Sequence, residues 1–332
     1  MSSNHARARL LEGRDAALQT MLRKAELAAC IERQLPHEGQ LRTAIHQLTL
    51  VRVNRVAHPV FTVCEPAVCL LARGSKRLVL ADEVYVYDPD TYLVVSQHLP
   101  VSGQVIDASP ELPYLALRLN YDVSDIASLL AGMREHKRPI GQATSRGVVT
   151  ADVTPALLDA VLRLVRLLDT PQDIEALAPL TFREVLYRVL TGPCGTQLAQ
   201  LAATDGATRR VRNAIGWIRR HYDRPLDMSA MAAMAAMAEL SISALRTRFK
   251  AATAMSPHQY QKDLRLLEAR RMLLGGWDAA SAAHRVGYES ASQFSREYAR
   301  KFGAPPAKDL RRFRQQHGGA EPDPRTATGE GS

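Results

Sequence analysis

One stretch near the C-terminal end constrains the fold of this chain most strongly: residues 284–313, HRVGYESASQFSREYARKFGAPPAKDLRRF. Gly287 and Tyr288 predict a tight turn after a short apolar helix that covers 278–286. Ser290 then offers an N-cap for a new helix, because a short hydroxyl side chain can accept hydrogen bonds from free backbone N–H groups. A short helix, a tight turn and a second helix together predict a helix-turn-helix.

The second helix of this unit has two chemically different faces. Phe294 and Tyr298 are four residues apart, so they share one face and are expected to anchor it in a core. Ser292, Gln293 and Arg296 fall towards the other face. Such short or forked hydrogen-bonding side chains recognise base edges in a major groove, so we predict that these three contact bases.

Three segments carry a resemblance to a known family. VGYESASQFSREYARKFGAPP closely resembles the second helix-turn-helix of the AraC/XylS family of bacterial transcription regulators. MSPHQYQKDLRLLEARRMLL at 255–274 and LSISALRTRFK at 240–250 resemble other hallmarks of that family, and the resemblance covers about residues 211–315. It implies an all-α domain in which a long helix, predicted over 257–274, joins two helix-turn-helix units. Their recognition helices would enter successive major grooves, about 34 Å apart.

The first recognition helix is predicted over 242–250, with Leu245 and Phe249 facing the core. The resemblance places three of its exposed side chains at base-contact positions: Ser243, Arg246 and Thr247. An alternative is that Arg246 and Arg248 contact only phosphates. Asp227 or Ser229 is expected to cap the helix before it.

The excess of positive charge lies in the C-terminal third. The net charge is +9, yet residues 211–316 hold 19 lysines and arginines against 9 acidic residues, and the remainder holds 24 against 25. This distribution is typical of a nucleic-acid-binding domain joined to a neutral one. We predict phosphate contacts from six of these cations: Arg248, Lys250, Arg300, Lys301, Arg311 and Arg312. A basic face that only aids solubility and a non-specific architectural DNA binder are the alternatives.

The segment MAAMAAMAEL at 231–240 contains Ala-Ala-Met twice, which we interpret as a three-residue duplication relative to the family. Three extra residues rotate one end of a helix by about 300° relative to the other and lengthen it by about 4.5 Å. Alanine and methionine are good helix formers, so the helix should persist. We predict that deleting residues 235–237 leaves folding intact or improves it.

From about Leu41 the hydrophobic period is two, which predicts strands. Short strands punctuated by turn residues predict a barrel or sandwich. KRLVLADEVYVY is expected to form a hairpin that turns at Ala81 and Asp82. The predicted strands, after an alternating stretch at 45–53, are 67–72, 76–80, 83–87, 92–96, 101–107 and 114–119.

This region resembles the cupin-like N-terminal sensor domain of one branch of the AraC family, through EPAVCLLARGSKRLVLADEVYVYDPDTYLVVSQHLPVSGQV and SPELPYLALRL within 65–119. The resemblance implies a barrel with an interior pocket for an effector. A cupin-like enzyme with a DNA-binding tail is the alternative, but a metal-dependent cupin needs converging histidines and a carboxylate. His46, His58 and His98 are far apart in the sequence. We therefore expect no metal, no cofactor and no enzymatic activity.

The four cysteines are Cys30, Cys64, Cys69 and Cys194, and they form no CxxC pair. Buried reduced thiols are the expected state. Cys64 and Cys69 are the alternative candidates for redox sensing, which would require an exposed thiolate of low pKa. No basic residue lies close to them in the sequence.

The predicted fold class is α+β, with a cupin-like β-barrel and packed helices before the all-α domain. The expected domains are a helical N-terminal arm that packs on a neighbour or frays (1–40), a sensor and dimerisation domain (41–201), a linker (202–210), the DNA-binding domain (211–316) and a disordered tail (317–332). Helices expected at 124–135, 152–168, 174–191 and 197–203 pack on the barrel or form a dimer interface.

No apolar run reaches the ~18 residues that span a bilayer, and the N-terminal residues lack the apolar stretch of a secretion signal. We therefore expect a cytoplasmic protein without membrane contact that associates with the nucleoid when bound to DNA. Its expected partners are double-stranded promoter DNA, RNA polymerase, a small-molecule effector and a second copy of the chain.

Overall fold

The structure is a computed structural model that describes residues 2–133, 146–202 and 206–316, and the side chains of 15–133, 146–200 and 209–313. The described residues form two compact units. The first extends to Arg209, and the second begins at Arg210 and also includes Phe61–Val63. The predicted tail at 317–332 and positions 203–205 of the predicted linker lie outside the described residues.

The predicted α+β class is confirmed, since antiparallel sheets with helices precede a run of elements that are all helices. The described strands are β1 (Gly39–Arg42), β2 (Leu48–Val53), β3 (Val60–Cys64), β4 (Ala67–Arg73), β5 (Ser75–Leu80), β6 (Glu83–Tyr87), β7 (Thr91–Val95), β8 (Leu99–Asp107), β9 (Tyr114–Asn120) and β10 (Val148–Asp152). They form a six-stranded sheet in the order β1-β2-β9-β4-β7-β10 and a four-stranded sheet in the order β3-β8-β5-β6.

The hairpin of β5 and β6 is confirmed. Its last pair is Leu80 with Glu83, and Ala81 has φ of +51° in the two-residue turn, as such tight hairpin turns require. The alternating stretch that we predicted up to Val53 is wrong as one strand, because backbone bonds close a turn where the N–H of Leu48 meets the carbonyl of Ile45.

Three strands, β1, β3 and β10, are not among the predicted ones. β1 begins within the range of the expected helical arm, and no residue of β3 is fully buried. β10 lies just before the helix that is expected from Asp152, and its β-branched Val148 and Val149 pair with β7. The helix begins only at Pro155, where Thr154 accepts a hydrogen bond from the N–H of Leu157 at 3.2 Å.

The N-terminal helix α1 (Ser2–Gln34) contributes to the core of the first unit. Leu27 and Ile31, one turn apart, are 1 % and 0 % exposed. The C-terminal part of the predicted arm is therefore packed rather than frayed. Leu18 and Met21, earlier on the same helix, are exposed.

Four further helices follow in the first unit: α2 (Val123–Gly132), α3 (Pro155–Arg166), α4 (Ile174–Leu190) and α5 (Gly195–Ala202). The predicted apolar stripe of α3 is buried, including Leu157, Val161 and Leu164. These side chains share one cluster with Leu117 of β9, so the helices cover one face of the larger sheet.

The second unit contains α6 (Gly206–Arg220), α7 (Met228–Met237), α8 (Ile242–Thr253), α9 (Pro257–Leu274), α10 (Ala279–Arg285), α11 (Ala291–Phe302) and α12 (Pro306–Gln316). The predicted linker (202–210) is helical at both of its ends, since α5 ends at Ala202 and α6 begins at Gly206. Alanine and arginine favour the helix there, and Val211 and Ile215 bury one face of it. Trp217 of the same helix is half-buried and stacks on His221.

Helix α12 is not among the predicted helices, because prolines such as Pro305 and Pro306 commonly end a helix. A proline also suits the first position of a helix, where its missing N–H has no intrahelical partner. Pro306 is the first residue of α12.

Candidate nucleic-acid interface

The two helix-turn-helix units, α7–α8 and α10–α11, have the same capping chemistry. Asp227 accepts a hydrogen bond from the N–H of Ala230 at 2.8 Å and so caps α7. Asp278 caps α10 by accepting from two backbone N–H groups at 2.9 and 3.0 Å. Of the two caps expected for α7, Asp227 is therefore the one used, and each unit begins with an aspartate that satisfies free N–H groups.

Both recognition helices begin with the same Ser-x-Ser arrangement. Ser241 and Ser290 are the N-caps of α8 and α11, and each accepts a bond from a backbone N–H three residues on, at 3.2 and 3.3 Å. The cap hydroxyl lies 3.1 Å from the Ser243 hydroxyl in the first unit and 2.9 Å from the Ser292 hydroxyl in the second. The two units therefore correspond residue by residue at the start of their recognition helices.

The turns of the two units also close in the same way. The N–H of Leu240 bonds to the carbonyl of Ala235 at 2.9 Å, and the N–H of Tyr288 bonds to Ala283 at the same distance. This bond is part of the Schellman closure of a helix. The left-handed residue of that closure is Gly287 in the second unit, with φ of +89°, and Glu239 in the first, with φ of +44°.

Each recognition helix buries two side chains spaced four residues apart. Leu245 and Phe249 of α8 are fully buried, and Phe294 and Tyr298 of α11 are 1 % and 0 % exposed. The predicted inward faces are confirmed. Because these anchors fix the rotation of each helix, the opposite face of each one is directed away from the core.

The six predicted base-contact residues are all exposed: Ser243, Arg246, Thr247, Ser292, Gln293 and Arg296. Some of them have local partners. The hydroxyl of Thr247 donates to the carbonyl of Ser243 at 3.0 Å, and the amide of Gln293 lies 3.4 Å from Glu297. Both contacts are exposed, and each leaves the side chain with further hydrogen-bonding capacity for another molecule.

Five of the six predicted phosphate-contact residues are also exposed: Arg248, Lys250, Arg300, Arg311 and Arg312. Lys301 differs. Its ammonium donates to Asp263 at 2.7 Å, and the Asp263 side chain is 4 % exposed. A phosphate contact would have to break this partly buried ion pair, so the geometry assigns Lys301 to holding α11 against α9.

Arg265 of α9 connects the two halves of the domain. Its guanidinium donates to the carbonyls of Tyr222 at 2.6 Å, Arg224 at 2.8 Å and Gly287 at 2.9 Å. Burial lowers the pKa of Arg265 from its ordinary value, yet an arginine remains charged at neutral pH. One side chain thus ties the segment before the first unit to the turn of the second.

Asp309 of α12 fixes the second recognition helix. Its carboxylate accepts from the hydroxyl of Tyr298 at 2.8 Å and from Nε of Arg270, also at 2.8 Å. The side chains of Asp309 and Arg270 are 11 % and 17 % exposed. Burial and the hydrogen bond to Asp309 raise the pKa of Tyr298. Sequence reasoning missed Asp309 and Arg265, since a charged residue within a helix resembles a solvated one until its neighbours are known.

Cys64 and Cys69 do have basic neighbours, which the sequence did not reveal, because Lys76 and Arg118 act on both thiols. Burial nevertheless outweighs this attraction. It raises the pKa of Cys64 and raises that of Cys69 to about 11. Both thiols are therefore protonated at neutral pH, which argues against the alternative of a reactive thiolate.

Within the described part of the chain, no three His, Cys, Asp or Glu side chains lie close enough together to hold a metal ion. His46 and His58 are exposed. No single described helix is long and apolar enough to cross a bilayer. Only α7 and α8 counted together reach that length and composition, and they are bent by 81°.

Comparison with protein families matches both parts of the chain. Residues 44–197 match the family "AraC-type transcriptional regulator N-terminus". Residues 234–312 match the family "Helix-turn-helix domain". The first match covers the strands from β2 to β10 and the helices from α2 to α4, and the second covers both recognition helices.

Curated relatives include the HTH-type transcriptional activator RhaS of Pectobacterium carotovorum, 28 % identical over 144 residues, which are 43 % of this chain and 48 % of the relative. RhaS of Salmonella schwarzengrund is 26 % identical over 166 residues, 49 % of this chain and 57 % of the relative. The matched region thus spans about half the length of these relatives.

Among solved structures, ToxT from Vibrio cholerae is similar with a TM-score of 0.53 at 11 % identity, over 80 % of this chain and 97 % of ToxT. Wild-type ToxT bound to an unsaturated fatty acid gives 0.51 at 10 % identity, over 79 % and 94 %. At this identity the likeness shows a shared fold. The chain therefore has an AraC-type transcriptional regulator N-terminal domain at 44–197, followed by a helix-turn-helix domain at 234–312.

Proposed function

We propose that this protein is a sequence-specific DNA-binding transcription regulator. Its N-terminal domain senses a small effector and controls how the C-terminal double helix-turn-helix engages a promoter. The observation that carries the proposal is the pairing of two helix-turn-helix units in one unit of the fold. Each has an anchored inner face and an exposed polar outer face.

The outer faces suit base recognition in the major groove. Ser292, Gln293 and Arg296 on α11 form the first set of proposed base contacts. Arginine pairs bidentately with guanine, glutamine pairs with adenine, and serine hydrogen-bonds to either base. Ser243, Arg246 and Thr247 on α8 form the second set, in which the threonine methyl group also suits contact with a thymine methyl.

The exposed cations near these faces suit contact with the phosphate backbone of DNA. Five residues are proposed to contact phosphates: Arg248, Lys250, Arg300, Arg311 and Arg312. Such contacts position a protein on the duplex without reading its sequence. Lys301 does not belong to this proposal because it already pairs with Asp263.

Helix α9 has 18 residues, a length of about 27 Å. As a rigid connector it lets the two recognition helices enter successive major grooves on one face of DNA. The RhaS relatives, which are named transcriptional activators, support regulation over the two alternatives, a cupin-like enzyme and a non-specific architectural binder.

Three further partners belong to the proposal. Leu177 and Leu180 on α4 are 44 % and 65 % exposed, which supports contact with a second copy of the chain through the N-terminal helices.

Contact with RNA polymerase would complete activation. The fatty acid bound by ToxT supports a small-molecule effector. Promoter binding would place the protein in the cytoplasm, at the nucleoid.

The test is capture of genomic fragments by the purified full chain in moderate salt. We expect a few sharp peaks that share an asymmetric motif spanning two adjacent major-groove sites. Competition against random duplex should show a preference of about 10³-fold or more. Replacing Gln293 and Arg296 together by alanine should abolish the peaks, whereas Arg220→Ala, an exposed cation on α6, should keep them. Diffuse binding that disappears as salt rises would leave only charge-driven affinity and overturn the proposal.

A further inference from the structure

Lys76 of β5 lies among side chains that give it no counter-ion. Among the described residues, no ion pair includes its ammonium, and no carboxylate is among the groups that act on its charge. Those groups are Tyr114, Cys64 and Cys69, whose anionic forms raise the pKa of Lys76, and the cation Arg118, which lowers it. Tyr114, Cys64 and Cys69 have raised pKa values themselves and are protonated at neutral pH, so none of them supplies a negative charge there. Tyr114 is 2 % exposed. A cation taken from water in this way is unfavourable unless an anion neutralises it.

The charged side chains around Lys76 can be assigned to their partners one by one. Arg118, the nearest other cation, pairs with Glu65 at 3.3 Å. The amide of Asn120 donates to the same Glu65 oxygen at 2.8 Å, so this carboxylate is already occupied. Glu65 is therefore the partner of Arg118, while no carboxylate of the described residues acts on Lys76, so the cluster lacks one negative charge.

The ammonium of Lys76 lies against a position without a side chain. A Cβ added to Gly103 of β8 would be 3.0 Å from Cε of Lys76 and 3.5 Å from its Nζ. Lys76 is deeply enclosed, yet it retains accessible surface. An enclosed side chain that keeps accessible surface can contact a ligand held in a concave site.

The same face of the smaller sheet is apolar on both sides of this lysine. Leu78 follows Lys76 on β5 with the same orientation, and Val101 and Val105 flank Gly103 on β8. All three are buried, between 3 % and 7 % exposed. Alternate residues of a strand share a face, so the charged group lies within an apolar surface.

Tyr114 adds a second polar group next to the ammonium. Burial raises the pKa of Tyr114, and Tyr87 of β6 hydrogen-bonds to it. The phenol is therefore neutral at neutral pH and keeps its own O–H as a donor. An ammonium and a hydroxyl side by side are two donors for the two oxygens of one carboxylate.

We propose that Lys76, assisted by Tyr114, binds the carboxylate of a small monocarboxylic acid with an apolar body in the N-terminal domain. This inference rests on the proposed regulatory function and names the chemical class of its effector. A single missing charge fits a carboxylate better than a doubly charged phosphate. The apolar face around Gly103 fits an aliphatic or aromatic body rather than a sugar.

The experiment measures thermal unfolding of the full chain with hexanoate or octanoate, and with the neutral amides of the same acids. We expect the acids to raise the unfolding midpoint of the N-terminal domain by about 2 °C or more, and the amides to leave it unchanged. Lys76→Met should abolish the effect of the acids. Arg77→Met, which removes an exposed cation from the opposite face of the same strand, should retain it.

A second measurement needs no ligand. If the charge of Lys76 is uncompensated, Lys76→Met should unfold at a higher temperature than the parent protein. A lower midpoint, an equal response to acids and amides, no response to either acid, or a response that survives in Lys76→Met would each overturn the inference. Selective DNA binding is assayed on the same samples, so a failure of the proposed function would be seen separately.

Discussion

Glu239 occupies the same place in the first helix-turn-helix that Gly287 occupies in the second. Both are the left-handed residue that ends the first helix of the unit, with φ of +44° and +89°. Glycine adopts this conformation without steric cost, whereas a residue with a Cβ pays roughly 1–2 kcal/mol. The first unit therefore contains local backbone strain that the second unit lacks.

We expect Glu239→Gly to stabilise the C-terminal domain by roughly 0.5–1 kcal/mol, since removal of the strain is partly offset by the freedom of glycine in the unfolded chain. Glu239 also forms an exposed ion pair with Arg210, and such pairs contribute about 0–1 kcal/mol. Urea unfolding gives the measurement. Glu239→Ala removes the ion pair but keeps the backbone strain, so it should not stabilise the domain. An equal gain of unfolding free energy in Glu239→Ala and Glu239→Gly would contradict this explanation.

Gly287 should not tolerate any side chain. A Cβ at this position would lie 2.1 Å from the carbonyl oxygen of Asp223 and 2.9 Å from Nη2 of Arg265. We expect Gly287→Ala to destabilise the domain by at least about 3 kcal/mol, from the clash and the positive φ together. Gly303→Ala is the matched control, because its φ is +76° but nothing lies within 4 Å. It should show only the conformational term, about 1 kcal/mol.

Replacing Arg265 by methionine keeps an unbranched apolar side chain but removes its three hydrogen bonds. The carbonyls of Tyr222, Arg224 and Gly287 would lose a charged donor, and we expect a loss of roughly 2–4 kcal/mol in the free energy of unfolding. Arg246→Met, on the exposed face of α8, should change the stability by less than about 0.5 kcal/mol. An equal loss of unfolding free energy in Arg265→Met and Arg246→Met would mean that the guanidinium of Arg265 does not hold the two halves of the domain together.

Arg296→Ala tests base recognition. We expect it to weaken binding to the specific site by about 1–3 kcal/mol and to relax one base position. Arg300→Ala should instead weaken binding to specific and random DNA alike and lower the salt dependence. Competition titrations at two salt concentrations distinguish the two patterns. If Arg296→Ala also weakened both kinds of DNA equally, Arg296 would be a phosphate contact.

Deletion of residues 235–237 tests the Ala-Ala-Met duplication. Helix α7 has 10 residues and α10 has 7, so the deletion makes the two equal. Met231, Met234 and Ala235 are now buried before the turn; after the deletion Met228, Met231 and Ala232 take those places with the same side chains. We therefore expect the unfolding midpoint to stay unchanged or rise. A fall of several degrees would show that the length of α7 is fixed by contacts at both of its ends.

Local patterns predicted much of this fold. The limits of α9 agree to the residue, because a serine N-cap with Pro257 after it and two glycines after Leu274 are strong signals. The strands from β4 to β9 were found through alternation and turn residues. β10 was missed because it forms by pairing with β7, which is distant in the sequence. α12 was missed because a proline can begin a helix as well as end one.

The predicted base contacts could be chosen from the sequence because a recognition helix is locally amphipathic. The residues that hold that helix in place could not be chosen from the sequence. Asp309 meets Tyr298 across 11 residues, and Arg265 reaches Tyr222 across 43. The charge imbalance at Lys76 was equally hidden, since β5, β8 and β9 bring its neighbours together only in the folded sheets.

The tie made by Arg265 has a consequence for the promoters that such a protein can use. If the two recognition helices are held at one separation, the DNA must supply its two subsites at one matching interval and helical phase. Inserting a single base pair between them turns one subsite by about 34° around the duplex axis and moves it by about 3.4 Å. A protein held together in this way recognises two subsites only at one fixed spacing. Mutations in a promoter can therefore change the bases within each subsite far more easily than the distance between the subsites.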